Sequence, residues 1–90
     1  MKRIIIDIYG KVQGVWFRAS TRKQARKLNL IGYVKNMSDG SVHIEAEGKK
    51  ENLEKLLKYA KEGPRLARVD RINHEYKEAT GEFNKFRTSY

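Results

Sequence analysis

The chain contains no cysteine, which excludes disulfide staples and thiolate metal sites and favours a cytoplasmic setting. Histidine is nearly absent as well. His43 and His74 are the only two, and no carboxylate or second histidine stands at a metal-ligand spacing from either, so neither a metal nor a cofactor is expected. Long apolar runs are missing: the longest, Ile4–Ile6, is closed by Asp7. That is far short of a membrane span or a signal-peptide core, and the chain is expected to be soluble and unexported. There is no internal repeat, low-complexity tract or linker. The 90 residues therefore read as a single domain over 1–90, large enough for a modest core. Ending at Tyr90, it is expected to stand alone as a monomer.

Acidic residues are also in short supply, 11 against 20 Lys and Arg, for a formal charge of +9. Such a field raises the encounter rate with any anion. Composition therefore admits both a nucleic acid and a phosphorylated small molecule. The Lys and Glu content is of the kind found in heat-adapted proteins.

Periodicity outlines the architecture. Ile4, Ile6 and Ile8 alternate with Ile5, Asp7 and Tyr9, as in a strand with one buried face. A polar segment with Thr21, Ala25 and Leu28 on one side predicts a helix from about Phe17 to Asn29. Gly32–Met37 and Ser41–Glu47 flank a Ser-Asp-Gly turn and predict a hairpin. In its second arm Val42, Ile44 and Ala46 face in, while Ser41, His43, Glu45 and Glu47 face out. Leu53, Leu56, Leu57 and Ala60 fall at helical spacing before Gly63-Pro64. Ile72, His74 and Tyr76 mark a fourth strand, and Phe86, Thr88 and Tyr90 a short last one. The expected fold is α+β, the ferredoxin-like β-α-β-β-α-β sandwich, with two helices on one face of an antiparallel sheet and an extra C-terminal strand. That plan serves many functions and selects none.

Two stretches carry chemistry. The first is GKVQGVWFR, residues 10 to 18. As a loop between strand and helix, it can turn successive backbone N–H groups toward one anion, helped by the helix N-terminus. Gly14, without a Cβ, allows close approach, and Arg18 in the first helical turn supplies a planar fork for two phosphate oxygens. This favours a helix start at Phe17 over the capping-box match at Thr21 and Gln24. A plain glycine turn beside a solvated arginine is the alternative. The second stretch is GYVKNMSDGSV, residues 32 to 42. Asp39-Gly40 is a hairpin turn, but Asn36 is in phase with inward Val34, where an apolar residue is expected. An inward carboxamide must be hydrogen-bonded or face a polar cavity, unless it simply closes its own turn.

Together these stretches resemble, along their full length, the two signature motifs of acylphosphatases, small enzymes that hydrolyse acyl phosphates to a carboxylate and inorganic phosphate. The similarity runs end to end, through Gly63-Pro64 and the Leu-Ala-Arg-Val that follows. It implies that Arg18 binds the substrate phosphate with loop amides of Gln13, Gly14, Val15, Trp16 and Phe17, that Asn36 orients the attacking water, and that inorganic phosphate, the product, inhibits. Trp16 fills a position the family leaves variable and is expected to shape the pocket mouth. His74 and Thr88 stand where branched apolar residues are usual and are expected to affect packing only. An acyl phosphate has a weakly basic leaving group, so positioning and charge neutralisation can carry most of the catalysis without a strong general base.

Other residues attract functional readings they do not support. His74 is expected to be a partly buried structural histidine, and Glu45 with Glu47 a solvated strand face rather than an acid/base dyad. Glu51–Lys55 and Glu54–Lys58 are helix-surface pairs. A nucleic-acid module of the same strand order would stack bases on open-face aromatics, notably from the third strand. Here that strand offers one histidine and two carboxylates, so no specific nucleic-acid partner is expected. A phosphate-ligand-binding module without catalysis is the other alternative, and it has no need of Asn36.

Overall fold

The alternating isoleucines build the centre of the sheet. In the computed structural model, which describes residues 1–90, Ile4, Ile6 and Ile8 lie fully buried on strand β1 (Lys2–Lys11). After it come α1 (Phe17–Lys27), β2 (Ile31–Asn36), β3 (Val42–Gly48), α2 (Lys50–Glu62), β4 (Arg68–Glu78) and β5 (Phe86–Ser89). The sheet order is β4-β1-β3-β2-β5. α1 lies over β2 and β5, and α2 over β1, β3 and β4. The core between the layers joins the isoleucines of β1 to Val34, Ile44, Leu53, Leu56 and Phe86. The sheet is mixed rather than wholly antiparallel, because β5 pairs parallel to β2, with Val34 opposite Thr88. The chain leaves β4 at one edge of the sheet and reaches the other edge before it pairs again, running then in the direction of β2.

Helix α1 begins at Phe17, and Thr21 is buried inside it rather than capping it. Phe17 is also the anchor of its first turn. Its ring occupies the space that a side chain at Gly63 would need, so truncation to alanine would cost about 3–5 kcal/mol.

Two expectations are corrected by the packing. Glu45 and Glu47 are not a solvated face: Glu47 is 1% exposed. Residues 79–85, on their way to β5, cover it. Glu47 accepts hydrogen bonds from the Thr80 N–H (2.8 Å), the Thr80 hydroxyl (2.9 Å) and the Gly81 N–H (3.0 Å). Arg3 pairs with Glu45 and reaches Glu47 at 3.4 Å and Glu82 at 3.0 Å. Conversely His74 is exposed rather than partly buried, because β4 is the outermost strand. Its ring meets Tyr76 edge-on at 5.9 Å.

Candidate active site

The two glycines of residues 10–18 serve different ends. Gly10 sits at a register shift between β1 and β4, where an added Cβ would lie 2.2 Å from the Arg68 carbonyl oxygen. It belongs to the sheet. Gly14, at φ 74°, has nothing within 4 Å of such a Cβ, so it serves the turn and leaves open space beside it. Trp16 also takes a left-handed conformation, φ 67°, which costs a non-glycine residue about 1–2 kcal/mol. Val15 and Phe17, buried on either side at 4% and 2% exposure, hold it there. The indole itself is 76% exposed.

This turn delivers the chain into α1 with no side chain capping the helix and no acidic residue in its first turn. The first-turn N–H groups and the positive end of the dipole are thus free to meet an anion. Gln13 fixes the turn from the other side. Its Nε2 donates to the carbonyls of Met37 (2.8 Å) and Ser41 (2.9 Å), tying the loop to the hairpin that carries Asn36. The hairpin is closed by Asp39, whose Oδ1 accepts from the Ser41 N–H (2.9 Å) and hydroxyl (2.6 Å). Hydrogen bonding from Ser41 holds the Asp39 carboxyl below the usual carboxylate range.

A cavity of about 330 Å³ opens at this point. It brings together Gly14, Trp16, Phe17 and Arg18 of the first motif with Asn36 of the second. Gln13 and Val15 do not line it; the Gln13 side chain is engaged at the hairpin and that of Val15 in the core. The Arg18 Nη1 donates to the Ser89 carbonyl at 3.4 Å, and the guanidinium lies 4.7 Å from the centroid of the Tyr90 ring. The Asn36 Oδ1 is buried and has no hydrogen-bond partner, so its carboxamide does not close its own turn. No three His, Asp or Glu side chains gather in a geometry that would hold a metal ion.

Sequence reasoning assigned no site role to five residues of this cavity, the apolar Val12 and Ala19 and, of more consequence, Arg22, Thr88 and Tyr90. Thr88 was expected to affect packing alone, and that is corrected. It lies on the helix-facing side of β5, opposite Val34, and so next to Asn36 across the sheet. The alternation Phe86, Thr88, Tyr90 shows which face these side chains share, but only the parallel pairing of β5 with β2 brings that face to Asn36. Arg22 could have been found, since it stands four residues beyond Arg18 and falls on the same face of α1.

The family model for acylphosphatase matches residues 4–88. The acylphosphatase of Salinibacter ruber is 48% identical over 86 residues, which is 96% of this chain and 90% of that protein. The acylphosphatase of Methylococcus capsulatus is 44% identical over 86 residues, 96% of this chain and 94% of its own. The crystal structure of acylphosphatase from Bacillus subtilis matches with a TM-score of 0.96 at 33% identity, covering 100% of both chains. Similarity on that scale takes in both motifs and the fold that joins them, and the chain belongs to the acylphosphatase family.

Proposed function

We propose that the chain performs the acylphosphatase reaction with the phosphoryl group held by the 13–18 turn and Arg18, and with water oriented by Asn36. Its family makes it an acylphosphatase; the roles of individual residues are the proposal. Turn amides and the α1 N-terminus receive two phosphoryl oxygens, and Arg18 neutralises them as a planar donor. Water attacks phosphorus in line, the phosphorus–oxygen bond to the acyl group breaks, and its electron pair leaves on the carboxylate. The water's proton passes to a phosphoryl oxygen, giving inorganic phosphate. No histidine or carboxylate lines the cavity to serve as a base, and a weakly basic leaving group does not demand one.

The observation that carries this reading is the Asn36 Oδ1, a buried acceptor without a partner in the cavity that holds Arg18. Leaving such an atom unpaired is costly, and a water held by it for attack accounts for its retention. A binder without turnover has no such use for it. Asn36→Ala is therefore expected to lower kcat by about 10²–10³ with KM and inhibition by inorganic phosphate nearly unchanged. Steady-state kinetics with a melting curve tests this; a folded variant with full kcat removes Asn36 from the mechanism. Hydrolysis should persist in EDTA, and loss that a divalent ion restores would overturn the metal-free route.

Inorganic phosphate acts as product and competitive inhibitor in this reading, and the chain as a cytoplasmic monomer without a nucleic-acid partner. The lack of cysteine supports the first compartment. Against base stacking, the Tyr33 and Phe83 rings pack on each other at 6.0 Å, with Arg3 over Phe83. No helix is long and apolar enough to cross a membrane.

A further inference from the structure

Three arginines stand four residues apart along α1: Arg18, Arg22 and Arg26. The helix runs over β5, and two of the three meet its backbone. Arg18 donates to the Ser89 carbonyl at 3.4 Å, and the Arg26 Nε to the Phe86 carbonyl at 3.1 Å. The middle one does not. Arg22 is half-buried in the cavity wall, yet its guanidinium makes no hydrogen bond or ion pair within the structure. The residues around it in that wall are Arg18, Ala19, Thr88 and Tyr90, and no Asp or Glu side chain is among them. Like charges at this spacing on a helix repel by a few tenths of a kcal/mol, and no acidic side chain in the cavity offsets it. The arrangement leaves a second arginine one helical turn beyond the first, their Cβ atoms about 5–6 Å apart, with both side chains lining the same cavity.

We propose that Arg22 selects substrate, by pairing with a second anionic group on the acyl chain while Arg18 holds the phosphoryl group. The proposal rests on the phosphate site described above. The favoured substrate class is an acyl phosphate whose acyl group ends in a carboxylate or phosphate-like anion about one helical turn from the phosphoryl group. The guanidinium fork fits either anion in two-pronged fashion. Trp16, exposed on the cavity wall, offers a flat surface for the acyl body between the two anions.

The test compares benzoyl phosphate with meta-carboxybenzoyl phosphate and meta-phosphonobenzoyl phosphate, rigid substrates that differ only in the distal group. The wild type is expected to show higher kcat/KM, through lower KM, on at least one anionic substrate than on benzoyl phosphate. The better of the two identifies the distal group as carboxylate or phosphate-like. In Arg22→Gln that preference should fall about tenfold, the scale of one charge-assisted contact. Arg22→Lys should recover part of it. Arg26→Gln, which removes the same charge outside the cavity, should leave the preference intact. Equal preference in wild type and Arg22→Gln would overturn the assignment, and so would an Arg26→Gln effect as large as that of Arg22→Gln, which would reveal a general field. Absence of turnover on all three substrates would instead overturn the proposed reaction itself. Glutamine preserves the helix, and melting curves of each variant separate a lost contact from a lost fold.

Discussion

Arg3 and Arg18 are both half-buried arginines lying against an aromatic ring, Phe83 at 5.2 Å and Tyr90 at 4.7 Å. Their surroundings otherwise differ. Arg3 meets three carboxylates, those of Glu45, Glu47 and Glu82. Around it the Tyr33 hydroxyl donates to Glu45 at 2.8 Å, and His43 bridges Asp7 (2.6 Å) and Glu45 (2.7 Å). Arg18 meets no carboxylate, only a carbonyl at 3.4 Å. The first region spends its charge internally and thereby holds residues 79–85 against the sheet. The second keeps charge and polar atoms free, so a ligand can complete it. Hydrogen bonding is incomplete in both, since the Arg3 Nε and the Asn36 Oδ1 are each buried without a partner; what separates the two regions is that carboxylates neutralise Arg3 and none neutralises Arg18.

Substituting one residue in each region should break different properties. The largest effect is expected from Arg18→Ala, which should lower kcat/KM by about 10³ or more while leaving the melting temperature nearly unchanged. Arg18→Lys should recover little of it, because an ammonium keeps the charge without the fork and is more strongly hydrated. Near-wild-type turnover by the lysine variant would show that charge alone suffices. On the other face, Glu47→Ala should cost about 3–5 kcal/mol of stability by urea denaturation, since it strands buried donors and part of the Arg3 charge. The protein that remains folded should turn over normally. A stable Glu47→Ala variant would mean that the network does not hold the 79–85 segment.

The pH dependence of stability sharpens the contrast. Burial opposes ionisation of Glu45, but Arg3, His43 and Tyr33 outweigh it and bring the carboxyl from an ordinary 4.5 to about 2. That contribution is fully present above pH 4.5 and is lost as pH falls toward 2. Burial likewise works against the charged form of His43, and Glu45 and Asp7 overcome it, raising its pKa above 6.5. Its contribution is present below that value and is lost as pH rises through the folded one. Denaturation across pH should therefore show a plateau bounded by 4.5 and 6.5. His43→Gln should remove the decline on its alkaline side. An unchanged profile in that variant would take the histidine out of the network. The smallest signal belongs to Trp16, the only tryptophan. Inorganic phosphate should change its fluorescence along a saturable curve that is absent in Arg18→Ala. A curve that survives would place the anion elsewhere.

Much of the molecule was legible before folding. The period-two isoleucines, the leucine spacing of α2 and the Asp-Gly turn are local signals, each written within a few residues of the element it specifies. The Phe17 helix start was legible because a loop aimed at an anion required it, and Asn36 stood out as a polar residue in an apolar phase. The burial of Glu45 and Glu47 was not legible. On an isolated strand their alternation reads as solvated, and only residues 79–85, more than thirty positions away in Glu47's hydrogen bonds to Thr80 and Gly81, turn that face inward. Nor could β5 be oriented from its own residues, since its direction follows from the edge at which the chain arrives.

The sequence by itself thus determined the elements, the core face of each and the two motifs, because periodicity and turn chemistry act between neighbours. Tertiary structure alone decided which charges are neutralised and which stay free. Whether an arginine finds an acidic side chain depends on segments distant in the chain, and so Arg3 became a structural ion while Arg18 and Arg22 face a cavity without Asp or Glu.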